Sequence, residues 1–157
     1  MAKKRPTPEL VRDISNAVAQ TGSFSAACRA AVEMIAAALP HYAWVGVYLL
    51  EGNELVLGPF VGDATDHTRI PVGRGVCGSA IEQEHDIVVS DVAALDNYLS
   101  CSPVVRSEIV VLIRLKNGRI IGQIDVDGHE VGLFDETDHR FLQSAAATLA
   151  EKFSASE

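Results

Sequence analysis

The apolar positions of the chain change period several times, and each change predicts an element. Leu10, Ile14 and Val18 recur four apart behind Thr7-Pro8-Glu9, a hydroxyl N-cap followed by proline at the first helical position. A second helix, capped by Ser23 or Ser25, is expected to run to Pro40 with Phe24, Cys28, Ala31, Ile35 and Leu39 on its apolar stripe. Cys28 falls within that stripe and reads as a small buried thiol. From Ala43 the period shortens to two, and Ala43 to Leu50 and Glu54 to Val61 read as strands joined at Glu51-Gly52-Asn53. Trp44, Gly46 and Tyr48 share one face of the first strand. Gly46 leaves a notch between two aromatic rings, which suits core packing and the wall of a small apolar slot equally well.

Asp63 to Thr68 is a polar loop, Arg69 to Val72 a short strand, and Gly73-Arg74-Gly75-Val76-Cys77-Gly78 a tight turn into a short helix ending at Gln83. Those glycines lack a Walker lysine and a full GxGxxG, so they do not make a phosphate cradle. Cys77 is expected near the helix N-terminus, where the dipole favours its thiolate. A strand from Asp86 to Val92 precedes a loop from Ala93 to Pro103 that carries Tyr98 and Cys101, and loops of that length more often serve a function than not. Ser107 to Leu115 and Arg119 to Asp127 read as a hairpin through a two-residue type I′ turn at Asn117-Gly118. Asp135 and Asp138 then cap a last helix with Phe141, Ala145, Leu149 and Phe153 inward. Helices at both ends of an antiparallel sheet predict a single α+β domain over residues 1–157, with residues 1–6 disordered.

The long hairpin carries the chemistry. Pairing Lys116 with Arg119 puts Glu108 opposite Asp127 and Val110 opposite Asp125, so that Glu108, Asp125 and Asp127 share a face. Like charges across a sheet cost stability, and their retention calls for a shared proton, a cation or a cationic ligand. Cys101 lies seven residues before Glu108 on the turn-rich loop. Arg106 and Arg114 lie near in sequence, and a structural ion network with them is the non-catalytic reading of the same acids.

Composition narrows the partners. The 157 residues carry a net charge of −8 and no clustered Lys/Arg stripe, which argues against a nucleic-acid backbone and for a small ligand. No apolar run is long enough to span a bilayer, and no apolar segment follows the basic Met-Ala-Lys-Lys-Arg, so the cytoplasm is the expected compartment. Three cysteines without CxxC or Cys/His spacing, and His67, His85, His129 and His139 without a ligand pattern, predict no metal and no cofactor, with the histidines solvated.

Five stretches resemble the free methionine-(R)-sulfoxide reductase branch of the GAF superfamily. They are Trp44-Val45-Gly46-Val47-Tyr48-Leu49-Leu50, Leu55-Val56-Leu57-Gly58-Pro59-Phe60, Arg69 to Gly78, Ser107-Glu108-Ile109-Val110 and Ile124-Asp125-Val126-Asp127. The resemblance implies a six-stranded antiparallel sheet with helices packed mainly on one side, often in a homodimer. It also implies reduction of the free amino acid with electrons from thioredoxin. The family's catalytic cysteine falls on Cys101, its second motif cysteine on Cys77, its pocket carboxylates on Glu108, Asp125 and Asp127, and its aromatic wall on Trp44 and Tyr48. Two departures stand out. His67 lies near the place of a cysteine that commonly pairs with the catalytic one, and Leu112 replaces a usual proline.

The chemistry implied needs a thiolate to attack the sulfoxide sulfur and an acid to protonate its oxygen, a role that falls to Glu108. Asp125 and Asp127 then hold the α-ammonium or orient the sulfoxide, and Cys101 becomes a sulfenic acid that Cys77 or an external thiol condenses to a disulfide. The competing reading is a stand-alone GAF sensor that binds a small molecule without catalysis.

Overall fold

The computed structural model describes residues 4–96, 98 and 104–156. The Thr7 hydroxyl accepts from the Leu10 amide at 3.1 Å, and helix α1 runs Pro8–Ala19. Ser23, not Ser25, caps the next helix by accepting from the Ala26 amide at 3.1 Å, and α2 runs Phe24–Ala38. Strands β1 (Trp44–Glu51) and β2 (Glu54–Val61) form the first hairpin, and β3 (Arg69–Pro71) pairs with β2. Helix α3 (Gly75–Gln83) and strand β4 (Ile87–Val89) follow, then the long hairpin of β5 (Ser107–Arg114) and β6 (Ile120–Gly128), and helix α4 (Glu136–Ser156).

The strands make one antiparallel sheet in the order β3-β2-β1-β6-β5-β4. Alternation along the strands sorts their side chains between two cores. Val45, Val47, Ile109, Val111 and Val126 face a core shared with Ile14 of α1, Ile35 of α2 and Leu142 and Leu149 of α4. Trp44, Tyr48, Val110 and Leu112 face the other way, towards Val76, Cys77 and Ala80 of α3. Among the described residues three α-helices therefore cover one face and one short α-helix the other, as the resemblance implied.

Two irregularities correct the sequence reading. The β5–β6 loop has three residues, not two: Leu115 N–H donates to Arg119 O at 2.8 Å, Gly118 N–H donates to Leu115 O at 2.9 Å, and within the loop only Gly118 has positive φ, at 94°. Asn117 keeps negative φ, so a type I′ turn is ruled out; its side chain instead accepts from the Arg119 amide at 2.9 Å. The loop shifts the pairing by one, and a bulge restores it, because Arg114 pairs with Ile120 while Ile113 pairs with Gly122. Beyond the bulge the register is the expected one. The strand expected over Asp86 to Val92 is also shorter, because only Ile87–Val89 pair with β5 and a 3₁₀ turn begins at Val92.

Helix α4 begins with a reciprocal acid cap. Asp135 Oδ1 accepts from the amides of Thr137 at 2.9 Å and Asp138 at 3.2 Å, while Asp138 Oδ2 accepts from the Asp135 amide at 2.9 Å. Asp138 is buried, and its other oxygen accepts from the Tyr42 hydroxyl at 2.6 Å. At the rim of the cap Arg5 donates to Asp135 at 2.7 Å and holds the Asp135 pKa down at about 2. Tyr42→Phe removes one partner of a buried carboxylate and is expected to lower the free energy of unfolding by about 1–3 kcal/mol in urea titration. An unchanged midpoint would mean that the phenol contributes nothing to anchoring α4.

Candidate active site

The register of β1, β6 and β5 assembles the acid cluster. Asp127 stands between Trp44 and Glu108, and Asp125 between Gly46 and Val110. Glu108, Asp125 and Asp127 thus lie side by side on the face under α3, with exposures of only 5%, 2% and 2%. The expected grouping is met. The arginine network is not: Arg114 is exposed and donates to the carbonyls of Glu84 at 2.7 Å and Gly118 at 3.4 Å. Asp125 and Asp127 each keep one buried oxygen, Oδ1, without a hydrogen-bond partner.

Helix α3 delivers Cys77 onto this cluster. Gly73 and Gly75, at φ 95° and 63°, turn the chain out of β3 through conformations that other residues resist. Gly78 then packs so closely on the turn that an added Cβ would sit 2.6 Å from the Pro71 carbonyl oxygen. Gln123, fully buried on β6, donates to the Cys77 carbonyl at 3.0 Å and pins the helix to the sheet. Cys77 Sγ donates to Glu108 Oε2 at 3.8 Å, and Asp125 is hydrogen-bonded to both Glu108 and Cys77.

That placement overturns the thiolate expectation. Burial, then the charges of Asp125, Glu108 and Asp127, push the Cys77 pKa well above its ordinary value, and these outweigh the helix dipole. Burial likewise raises Asp125, and burial together with the neighbouring Asp125 raises Asp127. Two carboxyl groups that bond to one another do so through a proton on one of them, and that is the chemistry the Glu108–Asp125 pair offers.

A narrow pocket, tightly lined and partly open to solvent, reaches this cluster. Tyr48, Cys77, Glu108 and Asp125 line it, with His67 and Arg74 among the remaining walls. Asp127 and Trp44 lie beside the lining, not in it. The notch at Gly46 is filled by the Trp44 indole itself, which would meet a Cβ at 2.3 Å. The indole stacks on Phe60 at 5.4 Å between centroids and on Tyr48 at 6.3 Å. The slot therefore opens past Tyr48 rather than between the two rings. Both aromatics hold the 62–68 loop by their polar ends: Trp44 Nε1 donates to Asp63 O at 3.0 Å and the Tyr48 hydroxyl to His67 O at 2.8 Å. Cys101 lies outside the described residues.

A family model described as a GAF domain matches residues 20–152. Free methionine-R-sulfoxide reductase of Escherichia coli is 38% identical over 90% of this chain and 84% of its own. The chain belongs to the GAF-domain free methionine-R-sulfoxide reductase family. GAF domain-containing protein A of Dictyostelium discoideum is 46% identical over a stretch spanning 65% of this chain and 64% of that protein. The crystal structure of the Neisseria meningitidis free methionine-R-sulfoxide reductase, solved in complex with its substrate, superposes with a TM-score of 0.89. It is 36% identical and covers 99% of this chain and 96% of its own.

Within this family fold, four contributors were not legible in the sequence reading. Ile70 and Arg74 line the pocket, and Gln123 holds α3; only Gln123 gave a signal, as an uncharged amide on the strand that also carries Asp125 and Asp127. His139 was expected at a solvated position, yet its Nε2 lies 2.7 Å from Asp86 Oδ2, whose other oxygen accepts from the Leu112 amide at 2.8 Å. That bond ties α4 to β5 across 53 residues of sequence.

The raised Asp127 pKa has a signed consequence. The folded protein keeps a proton on Asp127 that the unfolded chain loses near the ordinary value of 3.8, so this group's contribution makes stability fall as pH rises through that window. Asp127→Asn removes the contribution. Urea unfolding of both proteins from pH 4 towards neutrality should show the variant gaining on the wild type as pH rises, whereas a pH-independent difference would mean that Asp127 titrates normally.

Proposed function

We propose that this protein reduces free L-methionine-(R)-sulfoxide to methionine. The carrying observation is the pocket that brings the buried acids Glu108 and Asp125 together beside Tyr48, because a sulfoxide oxygen must be protonated as its sulfur is attacked and a crowded pair of buried acids is a proton source. The family relatives named free methionine-R-sulfoxide reductases support the same reaction.

In this reading the Cys101 thiolate attacks the sulfoxide sulfur and Glu108 gives its proton to the oxygen. The hydroxyl of the resulting sulfurane moves from the methionine sulfur to Cys101 Sγ as the sulfur–sulfur bond breaks, which releases methionine and leaves Cys101 as a sulfenic acid. A second thiol then condenses with it, releasing the oxygen as water and forming a disulfide that a thiol reductant such as thioredoxin reduces. Asp125 and Asp127 take the substrate α-ammonium, and their negative field favours a free amino acid over a peptide-bonded residue, which has no ammonium. Tyr48 forms the apolar side, with the Trp44 indole stacked against it.

Cys77 is a poor resolving thiol in this scheme. It is 5% exposed, held by carboxyl groups and protonated, whereas disulfide exchange needs a thiolate with access to its target. With His67 near the place of the family's usual pairing cysteine, an external thiol is the regenerating partner.

The test mixes purified protein with free L-methionine-(R)-sulfoxide, thioredoxin, its reductase and NADPH, and follows NADPH loss. Turnover is expected, lost in Cys101→Ser and lowered roughly 10²-fold or more in Glu108→Gln. Cys77→Ser should keep its steady-state rate within a few-fold of wild type if an external thiol regenerates Cys101. Substrate binding without turnover in the wild type would refute the reductase reading and leave a small-molecule sensor.

A further inference from the structure

The pocket groups are also arranged as a ligand set. Cys77 Sγ and single carboxylate oxygens of Glu108 and Asp125 all lie within 4.8 Å of one another, each from a buried residue. A tetrahedral zinc-class ion with S and O ligands spaces those atoms roughly 3.5 Å apart along each edge, and Cys77 Sγ stands 3.8 Å from Glu108 Oε2. A second observation points to a ligand independently of the clustering. Asp125 is 2% exposed, lines the pocket, and keeps Oδ1 without a hydrogen-bond partner.

We propose that this pocket binds a thiophilic divalent cation of the zinc class through Cys77 Sγ, Glu108 and Asp125, in place of the substrate. One sulfur ligand with two oxygens selects zinc, cobalt or cadmium over magnesium and calcium, which prefer all-oxygen sites. Binding displaces the thiol proton and the proton held between the two carboxyl groups, and both leave to solvent. The Gln123 bond to the Cys77 carbonyl fixes the helix turn that carries the sulfur, as outer-shell groups fix ligands elsewhere. Three protein ligands leave a fourth position towards the pocket mouth, where His67 and Arg74 stand. The cation occupies the ground that the α-ammonium takes in the proposed reaction, so it acts as a competitive inhibitor; only that inhibitory consequence rests on the reductase reading.

The experiment uses the full chain with Cys28→Ser and Cys101→Ser, which leaves Cys77 as its one thiol. Titration with Co²⁺ under reducing, metal-free conditions should give one equivalent bound with thiolate-to-cobalt charge-transfer absorption, displaced by Zn²⁺. Asp125→Asn in that background should weaken cobalt binding roughly 10-fold or more, and Cys77→Ser in the otherwise wild-type chain should lack the band. Absence of the band from the Cys77-only protein, or its survival in Cys77→Ser, overturns the proposal. If Cys77→Ser fails to fold, Asp125→Asn decides: unchanged cobalt affinity refutes the site. Free methionine sulfoxide should raise the apparent cobalt dissociation constant. A cobalt site indifferent to the sulfoxide would keep the cation and count against the substrate reading, whereas turnover by a protein that binds no cobalt would do the reverse.

Discussion

Three carboxyl groups and a thiol crowded into a nearly dry pocket set the terms for everything around them. Buried carboxylates repel one another and lose their hydration, so they survive only by holding protons or by waiting for a cation. Here the balance is pushed towards the protonated forms: burial raises the pKa of Asp125, Asp127 and Cys77, and the described arginines nearby bind backbone carbonyls or stay exposed. A site of this kind has two uses for its strain. It can give a proton to a substrate, and it can exchange protons for a positive group.

The scaffold is arranged so that this strained ground is stable enough to persist. The opposite face of the sheet is largely apolar and packed under α1, α2 and α4, and α4 is anchored at its start by the Asp135–Asp138 cap and Tyr42 and at its side by His139 on Asp86. Among the described residues α3 is the α-helix that packs on the acid face, and it does so through glycines that permit close approach and a glutamine that fixes its height. Stability is thus concentrated on one side of the sheet and chemistry on the other, a division that the period-two pattern of β5 and β6 imposes residue by residue.

The sequence made the fold legible because hydroxyl caps, strand alternation and turn residues all agreed, and the acid cluster legible because register converts residue numbers into neighbours. Even there, agreement rested on a cancellation. Asn117-Gly118 suggested a two-residue turn, the chain uses three residues, and a bulge opposite Arg114 restores the pairing that brings Glu108 to Asp127. What the sequence hid depended on distance or on competing energies. The dipole at the start of α3 argued for a thiolate at Cys77, but three acids brought in from other strands reverse its charge preference. Gly46 suggested a gap, and the neighbouring Trp44 ring fills it. The His139–Asp86 bond has no local signature. Cys101, on which the redox chemistry turns, lies outside the described residues, so its role rests on the family resemblance and on the pocket it would serve.

Carboxyl ¹³C NMR on protein labelled at Asp and Glu, assigned through Glu108→Gln, Asp125→Asn and Asp127→Asn, reads the charge of the cluster directly. If burial and crowding govern the site, at least one of the three resonances keeps the shift of a neutral acid at pH 7 and moves only on alkaline titration or on binding a cationic ligand. Three resonances that all ionise near pH 4, as solvated carboxylates do, would contradict the shared proton on which the proposed chemistry is built.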